Sequence, residues 1–148
     1  MDKFKLAHFE RAHPGVSPPA IDALSPPEAL AVRRLLASRL GLDQHVSPED
    51  LVTFLDHRQT VMPHVNADGD GFSLSAALRS ENIVPAKYVL LNWYQFDELD
   101  RVSWSDLSTF FDDIWYPASD DIDIFAASCD WVLSVHHSGT LKVLHLET

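Results

Sequence analysis

The chain has a single cysteine, Cys129, among 148 residues. One thiol excludes an internal disulfide and a cysteine-based zinc site, and its position beside Trp131 in a strand-like segment reads as a buried, inert side chain. Long apolar runs are missing too: nothing approaches the roughly 20 residues that cross a bilayer. The N-terminus, MDKFKLAHFERAHPG, is broken by charge before a signal-peptide core could form, so the expected address is the cytoplasm. Glycine is scarce, with five in all, and none is arranged as a phosphate-binding loop. No serine sits in a G-x-S-x-G context, and Cys129 has no base at an informative spacing. Positive charge is also short, with 11 Lys and Arg against 22 Asp and Glu, a net charge of −11. Repulsion then disfavours nucleic acid and anionic membranes as partners and favours a basic one.

Apolar residues, by contrast, make up 46% of the chain, enough for the core of one domain over residues 1–148. Five of the nine prolines fall in residues 13–27, HPGVSPPAIDALSPP, which rules out continuous helix or central strand and predicts an extended connector. Ser25 before Pro26, Pro27 and Glu28 is a helix start, and Val32, Leu35, Leu36 and Leu40 share a helical face that Gly41 ends. Ser47, Pro48, Glu49 and Asp50 repeat the start, with Leu51, Phe54 and Leu55 as the apolar stripe to about Gln59. A short helix or loop is expected near Ser75–Ser80, a buried strand in KYVLLNWY, and a helix from Ser103 to Trp115.

The C-terminal part carries the β signal. DIDIFA alternates, and WVLSVHH and TLKVLHL flank Ser138-Gly139, predicting a two-residue hairpin with Leu133 opposite Leu144 and Trp131 opposite Leu146. Apolar residues on both faces of that hairpin call for a covering layer. The expected fold class is therefore α+β, a small and mainly antiparallel sheet packed with the N-terminal helices.

Two motifs suggest metals. Asn66, Asp68 and Asp70 fit the first, third and fifth positions of a calcium loop and Gly71 its bend, but the twelfth position is Ala77 where a bidentate acid is required. A polar turn explains the stretch without an ion. His136 and His137, neighbours on one strand, would point to opposite faces, and His136 and His145 would be too far apart to share zinc. His8, His13 and His64 lie in loop-like sequence without i, i+4 pairing. The reading is that the chain holds no metal and no cofactor.

Acids crowd residues 97–130, where ten Asp and Glu face Arg101 alone. The centre of this stretch, FFDDIWYPASDDIDIF, places Asp112, Asp113, Asp120, Asp121 and Asp123 beside Trp115 and Tyr116. Acids steer a cationic partner and aromatic rings supply desolvated contact area, so these seven residues are the candidate partner-binding site, with no catalytic residues assigned.

Residues 93–148, with WYPASDDIDIFAASCDWVLSVHHSG at their centre, resemble small bacterial immunity proteins that neutralise interbacterial toxins of contact-dependent and type VI systems. The resemblance implies a stoichiometric, non-enzymatic inhibitor whose acidic face covers the basic cleft of a toxin domain, often a nuclease. Two other classes stay open: a small metal-dependent hydrolase using the clustered aspartates, and a regulatory or scaffold subunit acting through the helix pair of residues 28–59.

Overall fold

The computed structural model describes residues 1–146. In chain order the elements are α1 (Lys3–Ala12), β1 (Asp22–Ala23), α2 (Pro26–Arg39), α3 (Pro48–Arg58), β2 (Thr60–Asn66), α4 (Leu74–Ser80), β3 (Tyr88–Asn92), β4 (Leu99–Ser103), α5 (Trp104–Thr109), α6 (Phe111–Ile114), β5 (Ile122–Phe125), β6 (Trp131–Val135) and β7 (Thr140–His145). The strands form one antiparallel sheet in the order β1-β4-β3-β5-β6-β7-β2, an α+β fold. Pro63 is tolerated in β2 because that strand is an edge, where a missing N–H breaks no central ladder.

Strand alternation sends side chains to two cores. Val89, Leu91, Ile122, Ile124, Leu133 and Val143 pack on one face with Leu78, Leu107 and Ile114 from α4, α5 and α6. Leu90, Phe125, Val132 and Leu144 pack on the other with Leu36 and Leu40 of α2 and Leu51 and Leu55 of α3. Helices thus cover both faces, as a doubly apolar hairpin requires.

The predicted caps form: Ser25 Oγ accepts from Glu28 N at 3.3 Å and donates to the Glu28 carboxylate at 2.8 Å, and Ser47 Oγ accepts from Asp50 N at 3.2 Å. Leu35, expected on the buried stripe of α2, is instead 36% exposed, and Ala29 and Ala37 complete the buried face. The expected continuous helix from Ser103 to Trp115 breaks at Phe110 (φ −112°, ψ 28°), where Phe110 turns its ring edge-on to Phe9 of α1 and Phe111 stacks on Trp115. The proline-rich connector contributes the short edge strand β1, and α1, β2 and β4 arise where no element was expected. His8 accordingly lies on a helix and His64 on a strand.

The hairpin register also differs. Its loop has three residues, His137-Ser138-Gly139, with Gly139 at φ 90°, and pairs Leu133 with Val143 and Trp131 with His145. A left-handed residue closing a three-residue loop is a common hairpin solution, and it shifts the pairing by one from the two-residue expectation.

Candidate functional site

One polar row crosses the largely apolar sheet face beneath α3. Asn92 of β3, Asp123 of β5, Ser134 of β6 and Lys142 of β7 are successive ladder partners, so four polar side chains line up across four adjacent strands. A polar row on such a face needs internal partners, and it has them. Gln59 Nε2 donates to Ser134 Oγ at 2.7 Å, Ser134 Oγ donates to Asp123 Oδ1, and Asn92 Nδ2 donates to Asp123 Oδ2 at 2.8 Å. Asn92 is 1% exposed, and its Oδ1 accepts from Phe96 N at 2.8 Å, which fixes the chain as it leaves β3. Lys142 Nζ ends the row on Asp56 Oδ1 of α3 at 2.7 Å.

Above this row lies a groove of about 560 Å³ between α3 and the sheet. Its lining includes the acids Glu49, Asp56, Asp121 and Asp123, and Lys142, already paired with Asp56, is its sole lysine or arginine. Tyr94, 73% exposed, stands at the edge of the groove, while the ring of its neighbour Trp93 packs on the other core. Burial raises the proton affinity of the Asp123 carboxyl above the ordinary aspartate range; the hydrogen bonds from Ser134 and Asn92 act against it, while Asp121 and Asp56 add to it. Part of the residue faces the groove, but the carboxylate itself is enclosed by its two donors.

The seven expected binding residues do not form one surface. Trp115 is 2% exposed, stacks on Phe111 and donates its indole N–H to the Asp120 carbonyl at 2.9 Å, so it belongs to the core and offers a partner no contact area. Asp113 bonds His13 Nε2 at 3.0 Å, and Asp120 Oδ2 holds Lys5 Nζ at 2.6 Å. Lys5 is 8% exposed and sits over the rings of Trp93 (4.5 Å) and Tyr116 (5.0 Å), with Nζ also donating to the Ile114 carbonyl at 2.7 Å. The Tyr116 hydroxyl is pushed above its usual range, by burial first and then by Asp113, Asp2 and Asp120. Asp113, Tyr116 and Asp120 therefore anchor α1, Asp112 is exposed beside Asp68 and Asp70, and Asp121 and Asp123 belong to the groove.

The Asn66–Gly71 stretch is a turn. Asn66 Oδ1 accepts from Asp68 N at 2.8 Å and its carbonyl from Gly69 N at 3.1 Å, so its oxygens are committed to the chain. The histidines depart from expectation. β6 ends at Val135, so His136 and His137 escape strand alternation and their rings lie 3.8 Å apart beside Asp121. Among the described residues this is the one place where three His, Cys, Asp or Glu donors approach within 4.8 Å of one another. Cys129 is fully buried, and burial pushes its thiol up to about 12.

Gln59, Asn92, Tyr94, Ser134 and Lys5 were not anticipated. The signal for two of them is a polar residue interrupting an apolar strand, Asn92 after YVLL and Ser134 within WVLSV, as the anticipated Asp123 does within IDIF. No protein-family model, no curated protein and no solved structure matches the chain.

Proposed function

We propose that the chain is a non-enzymatic binding module that receives cationic side chains of a protein partner in the groove beneath α3, and that it acts as an immunity protein against a basic toxin domain. The observation that carries this reading is the lining of the groove: the exposed acids Glu49 and Asp121, an exposed tyrosine, and a single lysine whose charge is already paired with Asp56. An arginine or lysine entering there exchanges water for several acceptors and an aromatic face, and the surrounding negative charge speeds encounter. The acid-aromatic combination expected from the sequence is retained in this reading, but its aromatic member moves from Trp115 and Tyr116 to Tyr94. Among the described residues, no helix is long and apolar enough to cross a membrane.

A hydrolase built on the clustered aspartates has less support. Asp113 and Asp120 are engaged by His13 and Lys5 on the side of α6, whereas Asp123 points to the opposite face of the sheet, toward α3. The test is co-expression with the basic C-terminal domain of a secreted protein encoded beside this chain. Growth rescue by the chain, lost on Tyr94→Ala combined with Glu49→Lys, is expected; rescue untouched by that pair removes the groove from the interface, and no rescue removes the immunity reading.

A further inference from the structure

We propose that Asp121, His136 and His137 form a zinc site at the tip of the β6–β7 hairpin, on the rim of the groove. Three observations lead to it. The donor set is mixed, two imidazoles and a carboxylate, which is the chemistry that holds zinc with three protein ligands and leaves a position open. The spacing also fits. His137 Nδ1 lies 3.0 Å and His136 Nε2 3.9 Å from Asp121 Oδ1, and these values bracket the roughly 3.3 Å between ligand atoms of a tetrahedral ion with bonds of about 2.0–2.1 Å.

The third observation is how the donors are oriented. His137 N donates to Asp121 Oδ1 at 2.7 Å, which pins the carboxylate to the turn. Ser138 Oγ stands 2.8 Å from His136 Nδ1, on the far side of the ring from Asp121. With zinc on Nε2, Nδ1 carries the proton and donates to that hydroxyl, the outer-shell arrangement that fixes a ligating imidazole. Without zinc the same nitrogen can accept from Ser138 N at 3.2 Å, so binding selects one tautomer. All three ligand residues are exposed, so an ion reaches them without opening the fold. Asp121 and His136 also line the groove, which places the remaining coordination positions within reach of a donor from a bound partner.

The experiment is calorimetric titration of the full chain with zinc chloride, in the absence of any partner and therefore independent of the binding reading above. One zinc per chain is expected, with magnesium taken up far more weakly. His136→Ala, His137→Ala and Asp121→Asn should each weaken zinc binding at least about tenfold while leaving the melting temperature of the metal-free chain nearly unchanged. Nitrogen-15 spectra of the imidazoles should show His136 locked with its proton on Nδ1 in the zinc form. Absence of stoichiometric uptake, uptake unaffected by both histidine variants, or magnesium binding as strongly as zinc overturns the site.

Discussion

Lys5 and Asp120, separated by 115 positions in the chain, meet at 2.6 Å and are the ion pair that fastens the first helix to the body of the protein. Both side chains are largely shielded from solvent, at 10% and 18% exposure. Asp120 Oδ2 also accepts from Tyr116 N at 2.8 Å, so the carboxylate organises the turn between α6 and β5 as well as the helix.

Removing one partner of such a pair leaves the other charge poorly solvated. Lys5→Ala is expected to lower stability by about 3 kcal/mol. Lys5→Met should cost less, because an apolar end can still meet the Trp93 and Tyr116 rings that Nζ now covers and Asp120 keeps the Tyr116 N–H. Urea denaturation near neutral pH measures both; a loss in Lys5→Ala no larger than that of an exposed pair would show that α1 does not depend on this ion pair.

Gly139 links the hairpin loop to the Asn66 turn. A Cβ there would sit 2.1 Å from Asn66 Oδ1, and φ is +90°. Ala67 N also donates to the Gly139 carbonyl at 2.8 Å, so the backbone has little room to retreat. Gly139→Ala should therefore destabilise by about 2 kcal/mol. Adding Asn66→Ala removes the clash but not the strained φ, so part of the loss should return in a double-mutant cycle. Simple additivity of the two substitutions would contradict the contact.

Cys129 should be chemically silent in the folded chain. Its thiol is buried, and burial above all disfavours the thiolate; Arg39 opposes this in part, and Asp130 adds a smaller effect in the same direction as burial. Iodoacetamide is expected to label the native protein only as fast as it unfolds, and to label it readily in concentrated urea. Prompt stoichiometric labelling without denaturant would refute the burial.

These features divide by how local their causes are. The caps at Ser25 and Ser47 and the apolar alternation of β5, β6 and β7 are short-range signals, and they are legible in the sequence. By contrast, β4 (LDRVS) carries Asp100 and Arg101 within its five residues, and β2 contains Pro63 and exposes most of its side chains, so neither shows a strand pattern. α1 has a local cap, Asp2 Oδ1 accepting from Lys5 N at 2.8 Å, but the contacts that fasten it run through Lys5 to partners far along the chain. The acid cluster is real in sequence but split by geometry: alternation in β5 turns Ile122 and Ile124 to one face and Asp123 to the other, while Asp113 and Asp120 fold back on α1. Composition could report the charge, but only the sheet assigns it to a groove.

The buried Asp123 carboxyl gives stability a pH dependence of definite sign. Its folded-state proton affinity is raised above the ordinary 3.8, so between that value and the higher folded-state one the folded chain holds a proton that the unfolded chain has released. Its contribution is fully present below that value and is lost as pH rises through the higher folded-state value. Asp123→Asn, which keeps a neutral polar group in the row, removes this dependence. The stability of the variant relative to the parent should increase from about pH 4 to about pH 7. Urea titrations of the two chains at both pH values test it, and a difference that does not change with pH would mean the carboxyl ionises as freely folded as unfolded.

If the groove receives a basic partner, its charges should govern encounter and its tyrosine should govern dwell time. Glu49 is exposed at the start of α3, so Glu49→Lys alters the field without disturbing the core and should slow association about tenfold at low salt. Raising salt from about 50 to about 300 mM should slow the parent chain more than this variant, because there is less attraction left to screen. Tyr94→Ala removes a ring that is 73% exposed and should act mainly on dissociation. Asp112→Lys is the control: Asp112 is equally exposed but borders the cleft near Asp68 and Asp70, away from α3. Stopped-flow association with the cognate basic domain separates the cases, since a larger effect from Asp112→Lys than from Glu49→Lys would place the docking surface on the α6 side and not beneath α3.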